Sequence, residues 1–138
     1  MTNVMENSSP LPGFEGNTTK TFDQETLWNH VNGDLSLLRE LIAILEHHFP
    51  AHLAQIQASL ESAQGPDLER AAHKLKGSLL QFSATKATRS AAALEDMAKA
   101  NALEGAAELV SRLRSEVRLL LDDLKAMLRA HDGQSANV

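Results

Sequence analysis

Residues 34–63 read DLSLLRELIAILEHHFPAHLAQIQASLESA, and apolar residues recur in this segment at every third or fourth position. The stripe consists of Leu38, Ile42, Leu45, Phe49, Leu53, Ile56 and Leu60. Such spacing is typical of one face of an α-helix. Pro50 removes a backbone hydrogen bond inside the segment, but the stripe keeps its phase on both sides of it. The pattern therefore predicts one long helix from Asp34 to about Ala63, kinked at Pro50.

Four further helices are expected around this one. The capping-box spacing of Thr21-Phe22-Asp23-Gln24 predicts a short helix that runs to Val31 and ends at Asn32-Gly33. Three longer helices are expected after the long one. The third spans Asp67, as the N-cap, to about Phe82, and the fourth spans about Thr85 to Ala100, followed by Asn101 in the left-handed conformation. The last spans about Gly105 to Ala130.

Inward positions repeat at helical spacing in these later helices. They are Leu68, Ala71, Ala72, Leu75, Leu79 and Phe82 in the third, Ala87, Ala91, Leu94 and Ala98 in the fourth, and Leu109, Leu113, Val117, Leu120, Leu124 and Leu128 in the last. Amphipathic helices with short connections predict an all-α fold: an antiparallel four-helix bundle with a short additional N-terminal helix.

Length and composition fit one small helical domain. Of the 138 residues, 43% are hydrophobic but only 4% are aromatic, and the abundant leucine and alanine favour helix over strand. Residues 1–20 are rich in turn-forming pairs and are expected to be a disordered tail or linker. Residues 21–130 are the expected domain, and residues 131–138 are expected to be a flexible C-terminal tail.

Charge and hydropathy exclude several classes of protein. A net charge of −5 disfavours nucleic acid as the main partner. No apolar run approaches the roughly 18 residues that span a bilayer and no export signal is visible, so we expect a cytoplasmic protein that does not bind a membrane. The absence of cysteine excludes disulfides and thiolate metal sites, and it fits a reducing compartment such as the bacterial cytoplasm.

The charge is unevenly spread, because residues 70–89 hold five basic residues and no acidic one. At about 100° per residue, His73 in this stretch points roughly 140° away from the apolar stripe of its helix, so it is expected on the solvent face. Lys76 lies one turn from His73. Together with Lys74 and Arg70, it can offset the charge of a phosphoryl group on the imidazole ring.

Gly77 and Glu95 complete the predicted site. A glycine in mid-helix costs about 1 kcal/mol relative to alanine, which suggests a reason for Gly77. Because helical side chains lean toward the N-terminus, any side chain at this position would cover His73. If the third and fourth helices turn tightly near Ala84, Glu95 lies level with His73. Its carboxylate would then accept the Nδ1 proton and leave Nε2 as the exposed nucleophile.

The segment Ala72-His73-Lys74-Leu75-Lys76-Gly77-Ser78 resembles the H-x-L-K-G-S signature of histidine-containing phosphotransfer (HPt) domains. The Gly33-Asp34 entry to the long helix, the Leu94-Glu95 pair and the five-helix layout are also similar to that family. The resemblance therefore covers about residues 21–130.

The resemblance implies a phosphorelay intermediate without an ATP-binding or kinase domain of its own. His73 would take a phosphoryl group from the receiver domain of a hybrid sensor histidine kinase and pass it to an aspartate of a response regulator. The imidazole-orienting position of the family falls on Glu95, and Lys76 and Gly77 match its phosphate-neighbour and access positions. The receiver would supply Mg²⁺, so neither a cofactor nor a metal is expected in this chain.

Partner docking is expected around the turn between the third and fourth helices. The candidate docking residues are Leu80, Gln81, Lys86 and Arg89. The chain departs from the family pattern here, with Ser83-Ala84 where Gly-Ala is common and with Leu79-Leu80 where small residues are common. Because Leu80 lies near the His73 face, these departures concern the identity of the partner.

Other readings remain open at this point. The chain could be a non-transferring helical adaptor on the same scaffold, or the HPt domain of a chemotaxis-type kinase, which shares the signature. A metal site could use His30, His47, His48 and His52, of which His48 and His52 have i,i+4 spacing; however, Pro50 separates them and no carboxylate completes the set. A bundle that closes its own core predicts a monomer.

Overall fold

The computed structural model describes the backbone of residues 21–136 and the side chains of residues 21–131, so the predicted tail at residues 1–20 lies outside the described residues. Five helices follow one another in this part of the chain: α1 (Gln24–His30), α2 (Leu35–Glu61), α3 (Gly65–Leu80), α4 (Thr85–Lys99) and α5 (Ala106–Ala136). No strand occurs among these residues, and the predicted all-α fold is confirmed.

Helices α2 to α5 form the bundle. Helix α3 packs between α2 and α4, and α5 closes the ring by packing against both α4 and α2. Short connections make successive helices antiparallel. Helix α1 is attached at one end, where the Asp23 backbone N–H donates to the Ser83 carbonyl at 3.1 Å. The turn that joins α3 to α4 is thereby tied to the start of the domain.

The core consists largely of the predicted stripes. Helix α2 is uninterrupted through Pro50, as predicted, and it buries five of the seven stripe residues, whereas Leu53 and Leu60 are partly buried. The last helix has the predicted phase in its middle but differs at its two ends, where Val110 and Met127 are buried and the predicted Leu109 and Leu128 are only partly buried. Among the described residues, no helix combines the length and apolarity needed to cross a membrane.

Residues with a left-handed backbone conformation lie in the connections between the helices. The sequence predicted this conformation after α1 and after α4. Asn32 and Gly33 have φ angles of 56° and 68°, and Asn101, at 51°, follows α4. Asp34 caps α2 as expected, since its side chain accepts from the Leu37 N–H at 3.1 Å. Ser83 also has a positive φ, of 54°, between α3 and α4.

Two predicted N-caps are wrong. Asp23, rather than Thr21, caps α1 by accepting from the Thr26 N–H at 3.0 Å; the Thr21 hydroxyl instead donates to Asp123 of α5 at 2.8 Å. Helix α3 begins at Gly65, so Asp67 lies in the first turn and is not the cap. The reason is Pro66, whose fixed φ and missing N–H suit the first turn of a helix.

The predicted end of the last helix is also wrong. Helix α5 continues past Ala130 to Ala136, so most of the segment expected to be a flexible tail is helical, and residues 137–138 lie outside the described part. Within the extension, the His131 ring stacks on Trp28 of α1 with centroids 4.6 Å apart. This stack joins α5 to α1 at the first residue past the expected boundary.

Candidate functional site

His73 lies in the middle of α3 and faces outward. Its neighbours Ala72 and Leu75 are fully buried, whereas 67% of the His73 side chain is exposed. This orientation follows from the helical period, which turns position 73 away from the buried stripe of α3. The imidazole is held by the helix backbone but is open to a second molecule.

Glu95 of α4 contacts the inner edge of this imidazole. Its Oε2 lies 2.9 Å from Nδ1 of His73, and only 7% of its side chain is exposed. His73 and Glu95 are equally distant from Ala84 along the chain, so the hairpin register expected from the sequence brings them level. The predicted proximity is present; the orienting role of Glu95 stays a prediction.

Lys76 contacts the same carboxylate. Its Nζ lies 2.7 Å from Oε1 of Glu95, so each carboxylate oxygen has one partner on α3. The hydrogen bond from Lys76 lowers the pKa of Glu95; burial opposes this, and the contact with His73 adds to the lowering. Glu95 is therefore an ionised acceptor at neutral pH. In the neutral imidazole, the tautomer that fits this acceptor has the proton on Nδ1 and the lone pair on the exposed Nε2.

Lys76 has a contact with Glu95 that the sequence analysis did not predict, and its expected role as a neighbour of the phosphoryl group stays a prediction. The Lys76 side chain is 27% exposed, and its ammonium compensates the buried carboxylate of Glu95. A buried carboxylate without such a partner would be costly. The sequence contained a signal for this contact. Positions 73 and 76 are one helical turn apart, so a carboxylate level with His73 can contact both side chains.

Position 77 faces open space. A Cβ built at this position meets no heavy atom within 4 Å, apart from the nearby backbone of its own helix. Close packing against another helix therefore does not account for the glycine. Position 77 lies one turn after His73 on the exposed face, where a side chain would lean over the ring.

The other predicted cations lie around this face with different partners. Arg70 is exposed and forms an ion pair with Asp67 one turn earlier in α3. Lys74 is also exposed, and burial and then the charge of Lys74 lower the pKa of His52 on the neighbouring helix α2. Asp67 therefore partly offsets the charge of Arg70.

The four predicted docking residues do not all share the His73 face. Leu80, 59% exposed, and Gln81 end α3 beyond Gly77. Lys86 and Arg89 belong to α4, and nine residues separate Lys86 from Glu95, which places the two about 180° apart around the helix. Lys86 instead lies one turn before Ser90, whose hydroxyl donates to Glu116 of α5. Lys86 thus follows the α5 side of α4, away from His73.

Two exposed apolar residues on α2 were missed by the sequence analysis. Leu37 and Ile44 are among the few large hydrophobic side chains with substantial exposure. Glu46 pairs with Lys125 of α5, and the helical period puts Leu37 and Ile44 on the opposite side of α2, away from α5. The sequence contained a signal for this pair. Residues seven apart lie on the same face of a helix, and neither Leu37 nor Ile44 belongs to the buried stripe of α2.

The histidines considered for a metal site are not joined by further ligands. Among the residues that the structure describes, no group of three or more His, Cys, Asp or Glu side chains could hold a metal ion. His47, His48 and His52 do lie together on α2, with ring centroids 5.0 Å and 6.4 Å apart between successive members. His30 belongs to α1.

Comparisons with known proteins identify the domain that carries this site. The family model described as Hpt domain matches residues 40–130, which include α3, α4 and most of α2 and α5. No match was found among curated proteins, and none among solved structures.

Proposed function

This chain belongs to the Hpt domain family, and we propose that it carries out phosphotransfer through His73. The family consists of histidine phosphotransfer modules of two-component systems, which interact with receiver domains and have no kinase activity. In the proposed relay, His73 accepts a phosphoryl group from the aspartyl phosphate of one receiver and transfers it to an aspartate of another. The observation that carries the proposal is an exposed imidazole whose Nδ1 faces a buried carboxylate at 2.9 Å.

The chemistry needs only one nucleophilic nitrogen in this chain. The lone pair on Nε2 of His73 attacks phosphorus, the N–P bond forms, and the P–O bond to the receiver aspartate breaks, which returns that aspartate as a free carboxylate. No proton has to move, because Nδ1 keeps the hydrogen that it donates to Glu95. Mg²⁺ held by the receiver would neutralise charge on the phosphoryl oxygens.

Glu95 supports transfer in both directions. Once Nε2 is bonded to phosphorus while Nδ1 remains protonated, the ring carries a positive charge, which the adjacent carboxylate stabilises. The same positive charge makes the ring a good leaving group, because it departs from phosphorus as a neutral imidazole. Lys76 keeps Glu95 ionised and in place. An intermediate that both gains and loses a phosphoryl group requires this balance.

The partner surface is proposed to extend from His73 along α3 and onto α2. Leu80 and Gln81 at the end of α3, with Leu37 and Ile44 on the adjacent side of α2, offer exposed apolar contact area. Lys74 and Arg70 supply positive charge for the acidic pocket of a receiver. Lys86 and Arg89 are expected to contribute through the general field of the surface and not through direct contact.

The test is transfer from a phosphorylated receiver domain in the presence of Mg²⁺. We expect label on this chain that is labile in acid and stable in alkali, and none on a His73→Gln variant. A His30→Gln variant is the matched control, since it removes an exposed histidine from α1 and should keep the label. Label that persists in His73→Gln would show that another residue is the acceptor.

Absence of label on the wild-type chain with several receivers would favour the non-transferring adaptor. Label from an ATP-binding kinase domain supplied separately, and not from receivers, would favour the HPt domain of a chemotaxis-type kinase. We also propose that the protein is a monomer, because four helices already enclose the core. Light scattering that gives twice the mass of one chain would contradict this.

A further inference from the structure

A cluster of three imidazoles lies on α2 close to the proposed phosphoryl site. The rings of His47 and His48 meet edge to face with centroids 5.0 Å apart, and those of His48 and His52 lie 6.4 Å apart. His47 and His48 are exposed and His52 is half-buried. The phosphotransfer chemistry described above does not use any of these rings.

The register of the bundle places His52 beside α3. Glu46 pairs with Lys125 of α5, so the opposite side of α2, which includes His48 and His52, faces away from α5. The turn between α2 and α3 is centred on Ala63, which has a φ of 54°. His52 and Lys74 are each eleven residues from this turn and therefore lie level on neighbouring antiparallel helices. Lys74 in turn adjoins His73 in the chain.

Lys74 supplies positive charge near His52. From α3 it faces Lys74, while Asp67 and Arg70 further along α3 form an ion pair with each other. From α2 it faces His48, with His47 behind it. The Glu46–Lys125 pair lies on the other side of α2. Burial, then Lys74, then His48 lower the pKa of His52, so this imidazole is neutral at neutral pH and a new negative charge nearby would favour its protonation.

We propose that His52, with His48 next to it, is a proton-responsive cationic side of the phosphoryl site. A phosphoryl group on His73 places negative charge beside Lys74, and His52 then takes up a proton from solvent. By reciprocity, acidification that protonates His52 stabilises the phosphorylated form relative to the free form. This inference rests on the proposed function only in that His73 is the residue that receives the anion.

The electrostatic coupling can be measured without any phosphotransfer. The imidazole of His52 is titrated by NMR in two full-length variants of equal shape, His73→Glu and His73→Gln, which differ in charge at position 73. We expect a higher pKa of His52 in His73→Glu, with the resonance of His30 on α1 as a reference that titrates alike in both. A His52 titration that is the same in the two variants would overturn the proposal.

The functional consequence is measured with a phosphorylated receiver and Mg²⁺. The fraction of this chain that is labelled at equilibrium is compared at about pH 6 and pH 8, a range in which histidine charge changes. We expect the labelled fraction at pH 6, divided by that at pH 8, to be higher for wild type than for His52→Gln. The control is His47→Gln, which removes an exposed ring further from His73 and should give a ratio close to that of wild type. Comparison between variants cancels the pH dependence of the receiver and of His73 itself.

The two hypotheses fail in different ways. If the wild-type chain takes no label at either pH while His52 still responds to charge at position 73, the proposed function is wrong and the coupling stands. If wild type and His52→Gln are both labelled with the same pH ratio, phosphotransfer stands and the inference about His52 is wrong.

Discussion

Replacing Gly77 with alanine is expected to stabilise the fold and to slow phosphotransfer. Alanine in mid-helix is about 1 kcal/mol more favourable than glycine. The added methyl group meets no heavy atom within 4 Å beyond the local helix backbone, so no clash offsets this gain. For a domain of this size, about 1 kcal/mol raises Tm by roughly 4 °C. The methyl group leans toward His73, however, and restricts the approach of a receiver.

The loss of transfer should grow with the size of the side chain at position 77. Misplacement of reacting groups by about 1 Å can cost up to a hundredfold in rate, so we expect roughly a tenfold loss for Gly77→Ala and more for Gly77→Leu. Thermal unfolding followed by circular dichroism measures the first effect, and the initial rate of labelling by a phosphorylated receiver measures the second. Lys99→Ala, an exposed change at the far end of α4, is the matched control for both assays.

Two outcomes would refute this reasoning. A lower Tm for Gly77→Ala would mean that the glycine is required by packing or backbone conformation in the fold. A labelling rate that is unchanged in both Gly77→Ala and Gly77→Leu would mean that the partner does not approach His73 across position 77.

Three further changes test other parts of the structure. Ala63→Gly should stabilise the protein by about 1 kcal/mol in urea denaturation, because Ala63 has a φ of 54°, where a Cβ is strained; a destabilised variant would contradict that backbone assignment. Glu95→Gln should cost about 1–3 kcal/mol at neutral pH, because it leaves the partly exposed ammonium of Lys76 without its charged acceptor, and it should slow labelling of His73. The folded-state pKa of Glu95 lies below its ordinary value of 4.5, so the stability that the carboxylate contributes is present above that pH and is lost as the pH falls through the lowered pKa. The difference in free energy of unfolding between wild type and Glu95→Gln should therefore become smaller in acid. A difference that is independent of pH would contradict this. Leu75→Ala, at a fully buried position behind His73, should cost about 2–5 kcal/mol, and a loss below about 1 kcal/mol would show that the side chain is not in the core.

Periodicity and register account for what the sequence could predict. The stripe from Leu38 to Leu60 was sufficient to join the segments on either side of Pro50 into one helix, because a change of helix would have shifted its phase. The pairing of His73 with Glu95 needed only the position of the turn at Ala84, since antiparallel helices with the same rise keep residues level. Both predictions rest on backbone geometry, which depends little on the details of side chains.

Helix ends were predicted less well, because several residues competed for the same role. Thr21 and Asp23 both have side chains suited to the N-cap of α1, and the long-range bond from Thr21 to Asp123 left Asp23 as the cap. The extension of α5 past Ala130 has a similar cause, since His131 finds Trp28, which is more than a hundred residues away in the sequence. Local sequence does not contain these distant partners.

Lys76 shows why the contacts within a predicted site can differ from those expected from the sequence. Its position on the His73 side follows from helical spacing, but its long side chain can reach either the outer imidazole edge or the buried Glu95. The burial of Glu95 favours the second position, because its carboxylate is only 7% exposed and needs a counter-ion. An ammonium in solvent beside the exposed ring would gain less. Because an added phosphoryl group would compete for the same ammonium, the rate of transfer should depend on how tightly Glu95 holds Lys76. Arginine can form two parallel hydrogen bonds to a carboxylate. We therefore expect Lys76→Arg to slow labelling of His73, with a rise in the free-energy barrier to transfer that exceeds any loss in the free energy of unfolding. A loss in unfolding free energy that exceeds the rise in the barrier would show that Lys76 acts only as a structural counter-ion.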